Sequence, residues 1–299
     1  MQINIIFHKK TIIITAIIFI IANYTGYSKN NSPKFFWEIR SNTATVYLLG
    51  SIHVGKESYY PMADVIEDAY KKSDYLVGEI DMENASIEDL MSKALFTGSA
   101  TLKSTLKQEN YLFLKHFFDS VGIMPMMYDR FRPWYAIVMY QGLNISSQND
   151  ISNEYGVDVY FQNKARADSI PILEIESVGE QIDYLIKMGD YADEIIEMER
   201  QNTDKDMSIE THNLMEAWER GDENALMKYF LDVDENFPKL QDLMLQLIDE
   251  RNIKMAEKIE EYLASDKTYF VVVGAGHTIG ENSIINLLKK TNKYKIEKK

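Results

Sequence analysis

Residues 268–273, Thr-Tyr-Phe-Val-Val-Val, constrain the fold more than any other stretch of the chain. A run of β-branched and aromatic residues without polar alternation suits a strand covered on both faces. Residues 44–49 (Ala-Thr-Val-Tyr-Leu-Leu) and 74–80 (Asp-Tyr-Leu-Val-Gly-Glu-Ile) are strands of similar character, and they lie near the other end of the chain. Between about residues 86 and 267 the patterns are almost all helical. This arrangement implies an α/β fold: a mixed β-sheet core with flanking helices and a large helical insertion.

The smaller elements follow the same logic. Residues 35–40 alternate and, with the turn signal Ser41-Asn42, form a hairpin with 44–49. A helix is expected from Pro61 to about Ser73, with Val65, Ile66, Ala69 and Tyr70 on one face. Strand, helix and strand in that order suggest a right-handed crossover joining a parallel pair. Further helices are expected at 105–121, 133–143, 155–167, 180–200, 207–220, 223–231, 237–264 and 283–290, with Ser86 opening another. Residues 170–175 and 294–297 read as short strands. No repeat and no low-complexity linker divides the chain, so residues 29–299 are expected to form one domain, with the insertion at about 86–267.

The N-terminus has a different character. His8-Lys9-Lys10 precedes an apolar run at 11–22, and Gly26 and Ser28 follow at the spacing of a cleavage site. The run is short for a membrane span of about 20 residues. Residues 1–28 therefore read as a signal peptide, and the protein as exported, periplasmic or extracellular. Membrane contact is expected only through this segment, if it is retained. The chain has no Cys, which excludes disulfides, thiolate metal sites, Cys nucleophiles and a lipoprotein anchor. A net charge of −14 argues against nucleic acid as a partner, because phosphate binding needs clustered Lys and Arg.

Any metal site must then use His, Asp or Glu, and there are only five His. His53 and His277 each end a Gly-x-x-His segment directly after an apolar strand, more than two hundred residues apart. Ligand sites in open α/β sheets lie beyond the carboxyl ends of strands. The two imidazoles meet if their strands are neighbours; otherwise each is an ordinary surface or core histidine. Glu79 ends the strand at 74–80. A carboxylate there is costly unless paired, ligated or protonated, or unless the strand is an edge and the side chain faces water. Together the three would make a two-His, one-carboxylate set, in which Glu79 is either a ligand or the general base. His116 reads as a boundary residue on an amphipathic helix and His212 as solvated. There is no His-Glu-x-x-His, no Walker A sequence and no Gly-x-Ser-x-Gly.

Several blocks, in order, resemble one family. The segment from Tyr47-Leu-Leu-Gly-Ser-Ile-His53 to Glu57, followed by Tyr60-Pro61, is similar to the opening signature of the TraB/GumN family, which includes the Tiki proteins. Ser73 to Asp81, Arg132-Pro133-Trp134, Tyr155-Gly156-Val-Asp158, Glu176-Ser-Val-Gly-Glu180-Gln181, Arg251-Asn252 and Val273-Gly-Ala-Gly-His277 resemble its later blocks. In the fifth block Ile175 and Ser177 stand where the family has Leu and Thr. The resemblance covers nearly the whole mature chain.

It implies a fold related to erythromycin esterase and the ChaN haem-binding proteins. It also implies a catalytic and metal site at His53, Glu79 and His277, holding manganese or cobalt in preference to zinc. Arg251 and Asn252 would bind substrate or a carbonyl oxygen, or else hydrogen-bond helix to sheet. Glu176, Gln181 and Asp158 would support the site from behind, with helix capping the alternative for the first two. The implied function is an exported metal-dependent hydrolase, a peptidase acting on a peptide or protein through activated water. Two alternatives stand beside it. One is a metal-free esterase-like hydrolase, with a His base oriented by Glu79. The other is a protein that sequesters a peptide or haem in a Met- and Tyr-rich helical groove; those residues otherwise fill the core.

Overall fold

The computed structural model describes residues 35–299 except 82, 84, 85, 146–150, 202–206 and 232–235. The segment read as a signal peptide lies outside the described residues. Six strands form one sheet: β1 (Phe36–Arg40), β2 (Thr45–Ser51), β3 (Tyr75–Gly78), β4 (Ile172–Glu174), β5 (Thr268–Gly274) and β6 (Lys295–Lys298). Their order across the sheet is β4-β3-β5-β2-β1-β6. β2, β5, β3 and β4 run parallel, whereas β1 is antiparallel to both β2 and β6. The sheet is therefore mixed, as the sequence implies, and β1 and β2 form the expected hairpin.

β5 takes the central place because it is the most apolar strand; Phe270, Val271 and Val273 are fully buried. Successive residues face opposite sides of a sheet. Tyr70 and Phe161 pack against Phe270 on one face, and Tyr262 stacks on Tyr269 on the other. The helices Asp64–Lys71 and Val157–Asp168 thus cover one face, and the long helix Pro238–Leu263 covers the opposite one.

Three local expectations change. β2 and β3 are parallel but are not neighbours, since β5 inserts between them. A strand that is apolar on both faces is best covered in the middle of the sheet, so a pair close in sequence opens to admit it. The helix after Pro61 begins only at Asp64, and the Tyr60–Pro61 peptide is cis. It buries Ile66, Ala69 and Tyr70 together with Glu67, while Val65, turned off that stripe, is 43% exposed. The helical stretch expected at 180–200 is two helices, Val178–Gly189 and Ala192–Gln201.

The residues between β3 and β5 carry a second apolar cluster without strands. Leu102, Leu114, Phe118, Tyr128 and Ala136 are fully buried there, around a buried Trp134. Among the described residues no helix is long and apolar enough to cross a membrane.

Candidate active site

The two Gly-x-x-His segments lie side by side. β2 and β5 pair in register, with Gly50 opposite Val273 and Ser51 opposite Gly274. Gly50 is required by this closeness. A Cβ there would meet Phe35 Cβ at 3.0 Å and both Ala275 Cα and Thr278 Oγ1 at 3.1 Å. The missing side chain lets the short turn Ala275–Thr278, which carries His277, rest on the end of β2.

A Cβ on Gly274 would lie 3.3 Å from Glu79 Oε1, 3.7 Å from His277 Cδ2 and 4.0 Å from His53 Nε2. The three candidates from sequence therefore line one small volume beyond the carboxyl ends of β2, β3 and β5. His277 Nε2 is 3.9 Å from Glu79 Oε1. His277 is buried, Glu79 keeps 13% of its side chain exposed and His53 20%, so the volume opens on the His53 side.

Each imidazole has a polar side chain behind it. Asn252 Nδ2 donates to the Asn282 carbonyl at 3.0 Å, which leaves Asn252 Oδ1 to accept from His277 Nδ1–H at 2.7 Å. His277 is thereby set with Nε2 free. His53 Nδ1 stands 3.2 Å from Asp158 Oδ1. Asp158 reaches it because Gly156, just before the helix Val157–Asp168, lets the chain come against the His53 carbonyl, 2.6 Å from where a Cβ would be. Val157 N–H then donates to the Ile52 carbonyl at 3.0 Å.

Glu79 follows β3, an internal strand, and does not face water. Its Oε2 accepts from Arg251 Nη2 at 2.8 Å and Gln181 Nε2 at 3.0 Å, and its Oε1 from Gly274 N–H at 2.7 Å. Glu176 accepts from the same guanidinium, at 2.9 Å from Nε and 2.7 Å from Nη2. Backbone pairing continues past β4 to bring it there, since Glu176 N–H donates to the Glu79 carbonyl. A capping box between Ser177 and Glu180 starts the next helix and puts Gln181 one turn in, over both carboxylates. Capping therefore belongs to Ser177 and Glu180, while Glu176 and Gln181 face Glu79. Arg251 and Asn252 are 4% and 1% exposed; Arg251 ties the long helix to the carboxylates that follow β3 and β4, and Asn252 ties it to the turn of His277.

The charges follow from these contacts. Burial alone would raise the Glu79 pKa, but Arg251, the two imidazoles and Gly274 N–H bring it down to about 2. Burial would lower His53, yet Asp158 and then Glu79 push it up to about 9. Burial and the Arg251 charge push His277 down to about 3.

Among the described residues, no three His, Asp or Glu side chains form a ready-made metal cluster. The reason is visible at Glu79, whose oxygens are turned toward Arg251, Gln181 and Gly274 N–H. What fits a divalent ion is the pair of imidazoles, with Asn252 on the Nδ1 of His277 and Asp158 beside that of His53, Nε2 atoms at one volume and a carboxylate oxygen beside them. His116 is exposed on its helix and is not a boundary residue. His212 is half-buried and pairs with Glu216 of its own helix at 2.7 Å. Two supports went unforeseen: the Asn282 carbonyl, which has no side-chain signal, and the close approach at Gly156. The Gly directly before a helix is the sequence trace of the latter.

Fold and site define an α/β protein with a two-imidazole, one-carboxylate centre at the carboxyl end of a mixed sheet. The chain belongs to the TraB/PrgY/gumN family, whose model matches residues 35–298. It is 22% identical to the uncharacterized protein YbaP of Escherichia coli (strain K12), over 81% of this chain and 87% of that protein. An uncharacterized protein of Treponema pallidum (strain Nichols) is also 22% identical, over 87% of this chain and 82% of its own. Metalloprotease TIKI1 of Danio rerio is 23% identical, over 90% of this chain and 65% of that protein. No solved structure matches the chain with significance.

Proposed function

We propose that the protein is a hydrolase that cleaves a peptide or protein with water and depends on a divalent metal ion, manganese or cobalt before zinc. The observation that carries this reading is the convergence of His53 Nε2, the His277 ring and Glu79 Oε1 around Gly274. The distant likeness to Metalloprotease TIKI1 supports it. His53 and His277 would hold the ion through their Nε2 atoms, with Glu79 Oε1 adjacent. When bound, the ion supplies Lewis acidity toward a carbonyl and lowers the pKa of water.

The chain's own groups do the rest. Arg251 and Gln181 hold Glu79 Oε2, so Oε1 stays toward the reacting volume and can take a proton from water. Burial and the Arg251 charge keep His277 neutral, and Asn252 sets its Nε2 inward. Asp158 orients His53 at the open side, where substrate enters.

The engagement of Glu79 with Arg251 and Gln181 favours a second reading, an esterase-like hydrolase without metal. There the His53–Asp158 pair would take the proton from water and pass it to the leaving group. The N-terminal pattern supports export from the cytoplasm and a mature chain from about residue 29.

Calorimetric titration with manganese, cobalt and zinc chlorides tests the first reading. One ion per chain should bind, and His53→Ala and His277→Ala should each abolish binding. Cleavage of denatured casein should then require the ion. Turnover without binding selects the metal-free reading, and neither turnover nor metal binding selects sequestration.

A further inference from the structure

The hydroxyl of Ser51 has no part in the site as built so far. Ser51 is 2% exposed, and its Oγ has no hydrogen-bond partner among the described residues. A buried hydroxyl without a partner is costly, and native structures avoid it unless a ligand or water completes it.

Its position says which ligand. Ser51 is in register with Gly274 on the adjacent parallel strand. Residues in register on parallel strands project to the same face, about 4.8 Å apart. On that face a Cβ of Gly274 would meet Glu79, His277 and His53. The preceding residue, Gly50, looks the other way, toward Phe35 and Thr278. His53, just past the end of the strand, brings its Nε2 to the same volume. An unpaired hydroxyl therefore sits one strand-spacing from the volume that the candidate catalytic groups share.

We propose that Ser51 is a further site residue, whose hydroxyl hydrogen-bonds the oxygen of the water held between His53, Glu79 and His277. A hydroxyl both donates and accepts, so it can hold that water with a lone pair turned toward the substrate carbonyl. The role of this water as nucleophile rests on the hydrolase reading; its contact with Ser51 does not.

Ser51→Ala and Ser51→Thr test the proposal by three measurements on the full chain. The first is thermal unfolding, where Ser51→Ala should leave Tm unchanged or higher, because it removes an unpaired buried hydroxyl. A clear fall in Tm would mean that the hydroxyl bonds the protein itself and would overturn the proposal. The second is crystal structures of the wild type and Ser51→Ala. In metal-free crystals of the wild type a solvent oxygen should lie within hydrogen-bond distance of Ser51 Oγ and an imidazole Nε2, and it should be lost in the variant. Ser51 Oγ turned to a protein acceptor overturns the assignment.

The third is casein cleavage with manganese chloride. Ser51→Ala should lose at least about tenfold in kcat/KM, mostly in kcat, with manganese affinity held, and Ser51→Thr should recover most of it. Wild-type kcat/KM in Ser51→Ala overturns the catalytic part. If the wild type cleaves nothing yet its crystals show the solvent oxygen on Ser51, the hydrolase reading fails and the hydroxyl contact stands.

Discussion

The two Gly-x-x-His turns have the same sequence pattern and end neighbouring parallel strands, yet their imidazoles sit in opposite surroundings. His53 leans on a carboxylate, Asp158, and is partly open to solvent. His277 leans on an amide, Asn252, is buried, and lies near the Arg251 charge. The first is pushed up to about 9 and the second down to about 3. The difference comes from which helix docks behind each turn: Val157–Asp168 behind His53, Pro238–Leu263 behind His277. A repeated motif thus yields one readily protonated imidazole and one held neutral, a division of labour that the motif itself does not contain.

The largest test of this contrast is Arg251→Met. It leaves Glu79 and Glu176 buried without their cation, and breaking such a pair costs about 3–5 kcal/mol. It also removes a charge that holds His277 down. Urea unfolding should show the loss, and proton NMR of the histidines should show the His277 pKa rising. A stable variant with His277 unmoved would break the electrostatic account of the site.

Next in size is the pH dependence of stability in the presence of a chelator. The folded pKa of His53 lies above the unfolded value of about 6.5. Its contribution is therefore full below about 6.5 and lost as pH rises through about 9. His277 is depressed, so its contribution is full above about 6.5 and lost as pH falls toward about 3. Glu79 adds to the acid limb, since its contribution is lost as pH falls from the unfolded value toward about 2. Each of the three groups should contribute at most a few kcal/mol. His53→Gln should flatten the alkaline limb and His277→Gln part of the acid limb; the same limb vanishing in both would show that the histidines are not distinguished.

The smallest effect comes from exchanging the supports. Asp158→Asn should lower the His53 pKa, and Asn252→Asp should raise that of His277. Each should weaken manganese affinity by about 10–100-fold, as for other partners behind metal-bound histidines. Histidine titration by NMR and calorimetry would read both, and unchanged pKa values in either variant would remove its support from the mechanism.

Much of this is legible in the amino-acid sequence. The apolar runs at 268–273 and 44–49 locate the central strands, and hydrophobic patterning places nearly all the helices of the insertion. His53, Glu79 and His277 stand out because chemistry-bearing residues directly after apolar strands are few. The hidden parts share one cause, contact between distant residues. The insertion of β5 between β2 and β3, the exposure of Val65 and the turning of Glu79 toward Arg251 each depend on what packs across the sheet, which no local period records.

Periodicity and residue type, both local properties of the chain, are what the sequence by itself determined: an α/β protein, its strands and helices, and a short set of candidate chemical groups. Tertiary structure alone decided that β2 and β5 are neighbours, and so that two histidines more than two hundred residues apart share one volume. It also decided their unequal charge. Burial and the field of Asp158, Glu79 and Arg251 act through space, over distances of a few ångströms that chain separation does not measure.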